Sequence, residues 1–186
     1  MQTIDLTGHF LIAMPNMADA RFSRTVTYIC EHNEMGALGV IVNRPLEMNM
    51  ADLYTQIEVP LTLQGIADNP LYFGGPVDAG RGFVLHQPVG EWQSTLAVHN
   101  GVGLTTSKDI LEALAAGHGP DKIMVSLGYS GWDAGQLESE MAQNAWLSVA
   151  ADTRVLFDLP ADERLLAAMG LLGVDYANLS DETGHA

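Results

Sequence analysis

The sequence predicts an α+β fold whose sheet is largely antiparallel, and three observations predict it. Short apolar and β-branched segments joined by turn residues fill the chain up to residue 106, strong helical patterns enter mainly after that point, and the early helix is short. Hairpins first and helices later is the order of an α+β domain; a doubly wound parallel sheet would alternate the two.

Each element has a local reason. Residues 10–15 (FLIAMP) and 25–32 (TVTYICEH) are rich in aromatic and β-branched side chains and read as strands. Residues 37–45 (ALGVIVNRP) follow the turn Asn33-Glu34-Met35-Gly36, so 25–43 is expected to form a β-hairpin. Asn49 is placed to cap a short helix reaching Glu58, with Asp52 in its first turn and Leu53 and Ile57 on one face. Residues 71–73 (LYF), Gly74-Gly75-Pro76 and 82–86 (GFVLH) read as a second hairpin, followed by strands over 94–98 and 103–105. Ser107 opens a helix that turns Ile110, Leu111 and Leu114 inward and stops at Gly117 and Pro120. Residues 122–129 (KIMVSLGY) form a buried strand. Asp133 then opens a helix, with Gln136 reaching back as in a capping box and Leu137, Met141 and Ala145 facing inward. WLSVAA (146–151) and VLFDLP (155–160) read as short strands. Residues 160–173 form a closing amphipathic helix with Pro160 near its start and Gly173 after its end.

A length of 186 residues fits one domain, expected over 1–178 with a frayed tail at 179–186. A chain of this size buries roughly 70% of its unfolded surface, enough for a core without disulfides. Cys30 is the single cysteine, so no internal bridge forms, which together with nine methionines suits a reducing cytoplasm. The N-terminal residues lack a basic leader and no apolar run approaches the ~18 residues of a membrane helix. The expected location is cytoplasmic. Eight basic against 23 acidic residues give a net charge of −15. No window gathers enough Lys and Arg to neutralise phosphates, so direct nucleic-acid binding and anionic membrane surfaces are disfavoured.

The stretch SLGYSGWDAGQLESE (126–140) raises the sharpest chemical question, because Ser130 stands between glycines. A nucleophile elbow needs Gly-x-Ser-x-Gly, and Trp132 occupies the place of the second glycine. Gly128, Gly131 and Gly135 do not fit the dinucleotide fingerprint, and no phosphate loop is present. The expectation is a structural turn with Trp132 packed beneath it. Cys30 and His32, two residues apart on a strand, are placed to share a face, and His86 ends another strand. Thiolate and imidazole bind zinc, but this spacing matches no ligand signature, so neither metal nor cofactor is expected. Arg44 (Asn43-Arg44-Pro45) and Arg81 (Gly80-Arg81-Gly82) are scarce cations beside backbone punctuation. If their loops converge with the amides of Gly74 and Gly75, they form a small anion site; otherwise Arg81 neutralises Asp78 and Arg44 another acid.

GHFLIAMPNM, TVTYICEHNEMGALGVIVNRP, FGGPVDAGRGFVLH, GYSGWDAGQLESEMAQNAWL and VLFDLP, in that order across nearly the whole chain, resemble the AlgH/YqgE family of bacterial proteins. The resemblance implies an α+β fold whose bifurcated sheet curls into a pseudo-barrel with helices packed around it, and a bacterial cytosolic location. It transfers no catalytic residues. One family name reflects a link with regulation of alginate production, and the acidic composition points such a role away from direct DNA contact. Two readings follow. The first is a noncatalytic binding or indirect regulatory module acting through a protein partner or a small anionic ligand, with Asn43, Arg44, Gly74, Gly75, Arg81, His86, Gly128 and Ser130 as candidate ligand-binding residues. The second is a small hydrolase or transferase with a site near Ser130, His86 and Arg81. Oligomeric state stays open.

Overall fold

The structure, a computed structural model, describes residues 4–15, 19, 22–62 and 64–173. The end of the expected domain and the tail at 179–186 lie outside these. The 25–43 hairpin sits at the middle of one half of the sheet: β2 (Val26–Asn33) turns into β3 (Gly36–Ile41), with β1 (His9–Ala13) and then β10 (Trp146–Ala150) added antiparallel beyond β2. The other half is β6 (Val77–Gln87), β8 (Val102–Thr105) and β7 (Thr95–His99). The long β9 (Lys122–Asp133) joins the halves. With the short β4 (Pro45–Asn49) and β5 (Pro70–Phe73), the described residues form a ten-stranded sheet that curls into a half-barrel.

The fork in the sheet is at Gly128. One edge of β9 pairs parallel with β5 at Ser126 and Leu127, then antiparallel with β3 from Ser130 to Asp133; its other edge pairs with β6. The expected β5–β6 hairpin therefore does not form. The chain leaves β5 on one side of β9, crosses through Gly74-Gly75 and returns as β6 on the other side. No local signal distinguishes this crossover from a tight turn.

Among the described residues five α-helices cover the sheet, and their starts follow from side-chain chemistry. In α1 (Met50–Gln56) the Asn49 side chain accepts from the Asp52 amide while Asp52 accepts from the Asn49 amide, a reciprocal capping box. The helix α2 (Lys108–Ala115) starts after Ser107 as expected, but the Ser107 hydroxyl donates to Asp109 instead of capping the backbone. Pairing of Ala37 with Trp132 and Gly36 with Asp133 extends β9, so α3 (Gln136–Ala142) begins at Gln136 and not at Asp133. Half of the expected box survives, since Gln136 Oε1 accepts from the Asp133 amide at 2.9 Å. The expected strand at 155–160 is instead α4 (Thr153–Phe157): the Asp152 side chain accepts from the Arg154 amide at 2.9 Å and buries Val155 and Leu156 on the barrel. The last helix, α5 (Arg164–Leu172), ends at Gly173 in the left-handed conformation.

Three apolar clusters hold these layers. Phe10, Tyr28, Phe83 and Leu85 meet Val155, Leu165 and Met169 inside the half-barrel. Leu71 and Val125 meet Met50, Tyr54, Ile110 and Leu114 under α1 and α2, and Leu11, Ile29, Trp132 and Trp146 meet Leu137 under α3. Each fully buried large aliphatic side chain contributes about 1.5–3 kcal/mol, so all three layers are needed for a stable chain of this size. No described helix is long and apolar enough to cross a membrane.

Candidate functional site

Ser130 is fully buried and donates from Oγ to the Gly74 carbonyl at 3.2 Å. The same carbonyl accepts the Ile41 amide at 2.9 Å, and the Gly74 amide donates to Leu127 O. Ser130 thus ties the crossing strand to the fork. Gly128 has φ +77°, and a Cβ there would lie 2.3 Å from the Gly75 carbonyl oxygen. The expected turn is a kinked strand, while Trp132 is buried as anticipated. Gly74, Gly75, Gly128 and Ser130 do come together, with their polar groups turned on one another.

His86 stands at the far end of the same assembly. Its partner Ile123 and Ser130 lie near opposite ends of β9, roughly 20 Å apart along the strand at ~3.3 Å per residue. A serine–histidine pair is therefore not assembled, and the catalytic reading centred on Ser130, His86 and Arg81 loses its geometry. His86 is fully buried between the Pro88 carbonyl (2.9 Å from Nδ1) and Thr105 Oγ1 (2.6 Å from Nε2). The carbonyl requires a proton on Nδ1, and burial favours the neutral ring, in which Nε2 accepts from Thr105 Oγ1 and Thr105 in turn accepts from Thr95 Oγ1, 2.8 Å away. Burial lowers the His86 pKa from its ordinary value, and the Pro88 hydrogen bond offsets part of this. An unfolded His86 titrates near ~6.5, so below that pH the unfolded chain binds more protons, and stability falls as pH drops toward the lowered folded pKa. Urea unfolding is expected to lose up to ~1.4 kcal/mol more per pH unit below about 6.5 in the parent protein than in His86→Gln. Equal slopes would show that the folded ring is protonated.

Cys30 and His32 do not share a face. A bulge between Ile29 and Glu31 leaves Cys30 without a cross-strand partner and breaks the alternation. Cys30 turns into the half-barrel cluster, where burial pushes its thiol pKa up. His32 instead accepts the Leu6 amide at Nδ1 (3.0 Å) and meets Glu138 Oε1 of α3 at 3.0 Å through Nε2.

Asn43 and Arg44 organise the entry to β2. The Asn43 side chain accepts from the Val26 amide and donates to Arg24 O, while Arg44 Nη2 donates to Ser23 O at 2.6 Å. Arg81 lies elsewhere. It is exposed, stacks over Phe83 at 5.7 Å and lines a groove of about 510 Å³ in which Arg44 takes no part. Arg44 and Arg81 therefore do not converge.

The groove nonetheless gathers a second cation. Val84 of β6 pairs with Thr105 of β8, and three residues outward along each chain stand Arg81 and Lys108, both exposed and both lining the groove. Its walls are apolar, from Met48, Leu53, Ile57, Leu111 and Leu127, and Thr105, Thr106 and Ser107 also line it. The neighbouring Asp109 is engaged with α2. Desolvation alone would raise its pKa, but hydrogen bonds from Ser107 and from the Gln93 and Ile110 amides outweigh this and lower it. Lys108 has no ion pair among the described residues. The sequence reading missed Lys108 because its place beside Arg81 depends on the β6–β8 register. It also missed Arg164, whose guanidinium is buried at α5 where helical patterning predicts only a polar face.

A curled, forked, largely antiparallel sheet under the five helices of the described residues, with a cation-edged groove on one side, defines the class as an α+β half-barrel protein. The model of the AlgH-like family matches residues 10–177, and the chain belongs to that family. It is 58% identical over 182 residues to a UPF0301 protein of Azoarcus sp. (strain BH72), covering 98% of this chain and 97% of that one. A UPF0301 protein of Thiobacillus denitrificans is 59% identical over the full length of both chains. Among solved structures, the AlgH protein from Pseudomonas aeruginosa superposes with a TM-score of 0.81 at 49% identity, covering 97% of this chain and 95% of that one. A Corynebacterium diphtheriae protein shares the fold at a TM-score of 0.68 and 20% identity, over 89% and 85% of the two chains.

Proposed function

We propose that this protein is a noncatalytic cytoplasmic binding module that regulates indirectly, by taking a small anionic ligand with an apolar body into the groove edged by Arg81 and Lys108. One observation carries the reading: in a chain of net charge −15, two of only eight basic side chains edge the same apolar groove. Apolar walls with a few convergent polar groups are the usual make-up of a small-molecule site. A guanidinium supplies a planar fork for a carboxylate, sulfonate or phosphate, and an ammonium a point charge. The internally satisfied Ser130 and His86 favour binding over turnover, and the acidic composition favours a ligand-mediated role over DNA contact.

The test is fluorescence titration with anilinonaphthalene sulfonate, an aromatic anion, followed by displacement with octanoate. Each charge-assisted hydrogen bond contributes about 1.5–3 kcal/mol, so Arg81→Glu with Lys108→Glu is expected to weaken binding by well over tenfold. Unchanged affinity in a folded double variant would remove the groove as the site.

A further inference from the structure

A second cavity, of about 170 Å³, lies between β5, β9 and α5, and Arg164 lines it. Arg164 is 4% exposed, so its charge is out of bulk water. Its Nε donates to Leu159 O at 3.0 Å and its Nη1 to Val42 O at 2.6 Å, with Met124 Sδ at 3.4 Å and the Tyr72 ring 5.0 Å from the guanidinium carbon. All of these are dipoles, a thioether or a π face. Among the described residues no carboxylate pairs with Arg164, although the chain holds 23 acids. Buried arginine is ordinarily paired, because carbonyl dipoles replace only part of the lost hydration. Burial also lowers the Arg164 pKa, and the neighbouring Tyr72 hydroxyl offsets only part of this. The cavity is roomy enough for a small ion with water around it, and Asn69 and Tyr72 line it beside Arg164.

We infer that Arg164 is the anchor of a small-oxyanion site, taking a phosphate or carboxylate group into the cavity beneath α5. The site shares no residue with the groove of Arg81 and Lys108, so neither inference depends on the other. An entering oxyanion completes the missing pair, and guanidinium recognition of such groups is directional and strong.

The experiment titrates the full chain with inorganic phosphate, and separately with acetate, at ionic strength held constant with chloride, reading heat of binding and Tm. A saturable Tm rise with phosphate or acetate that chloride does not reproduce is expected. Comparison of the two titrations tells whether the site prefers a phosphate or a carboxylate. Arg164→Gln is expected to lose this response at least tenfold. Because that variant risks the fold, Asn69→Asp is the second probe. Asn69 is exposed and its backbone makes its hydrogen bonds to Met50 and Ile66, so the substitution leaves those bonds in place and sets a carboxylate at the cavity's rim. It is expected to weaken the anion response at least tenfold, whereas the Arg81 and Lys108 double variant keeps it. No saturable response to either oxyanion, or equal affinity in parent and Asn69→Asp, would overturn the inference.

Discussion

Gly75→Ala is expected to remove at least ~3 kcal/mol of stability, enough to unfold many proteins of this size. Gly75 sits at φ +154°, where an L side chain is strained, and its Cβ would lie 2.2 Å from the Tyr129 carbonyl carbon and oxygen and 2.5 Å from the Ser130 nitrogen. These are backbone atoms of β9 at the fork, so no rotamer change relieves the overlap. Gly80 is the matched control: nothing lies within 4 Å of a Cβ there and its φ is not positive. Gly80→Ala is expected to change stability by under ~1 kcal/mol, in either direction. Urea unfolding of the two variants against the parent checks the pair, and similar midpoints would mean that the chain does not cross β9 at Gly75.

Glu140→Leu carries the second large effect. One oxygen, Oε1, accepts both Trp132 Nε1 at 2.9 Å and Trp146 Nε1 at 2.8 Å, while Oε2 accepts from Gln136 Nε2 at 3.0 Å. The indoles are 7% and 4% exposed, so removing the carboxylate leaves two N–H donors with little water to replace it. At about 1–3 kcal/mol for each orphaned donor, a loss of roughly 2–6 kcal/mol is expected. Glu140→Gln keeps a carbonyl oxygen that can accept from both indoles and is expected to cost about 1 kcal/mol. Denaturation followed by tryptophan fluorescence reads both variants, and equal losses would mean that packing of Phe22, Trp132 and Trp146, not the shared acceptor, holds α3 on the sheet.

Where signal and structure lie within a few residues of each other, the chain was legible. The Asn49 cap, the turn before Gly36 and the Gly173 stop each act over one helical turn or one hairpin, and all are present. Alternation failed at Cys30, because one bulged residue turns the thiol and the His32 ring to different sides. VLFDLP was misread because a short apolar run satisfies a strand or a buried helix equally, and the Asp152 cap and contact with the half-barrel decided for the helix. The candidate site was half legible: scarcity singled out Arg81, but not its companion Lys108 or the buried Arg164.

By itself the sequence determined the α+β class, the acidic character, the absence of an intact nucleophile elbow and most of the helices, since these depend on composition, spacing and caps that the chain carries locally. Only the tertiary structure decided that Gly74-Gly75 is a crossing, that Ser130 faces Gly74 while His86 lies at the other end of β9, and which cations share a groove. Those facts depend on which distant strands pair and in what register, and the free energy that selects a pairing comes from side chains far apart in the chain, brought together by burial.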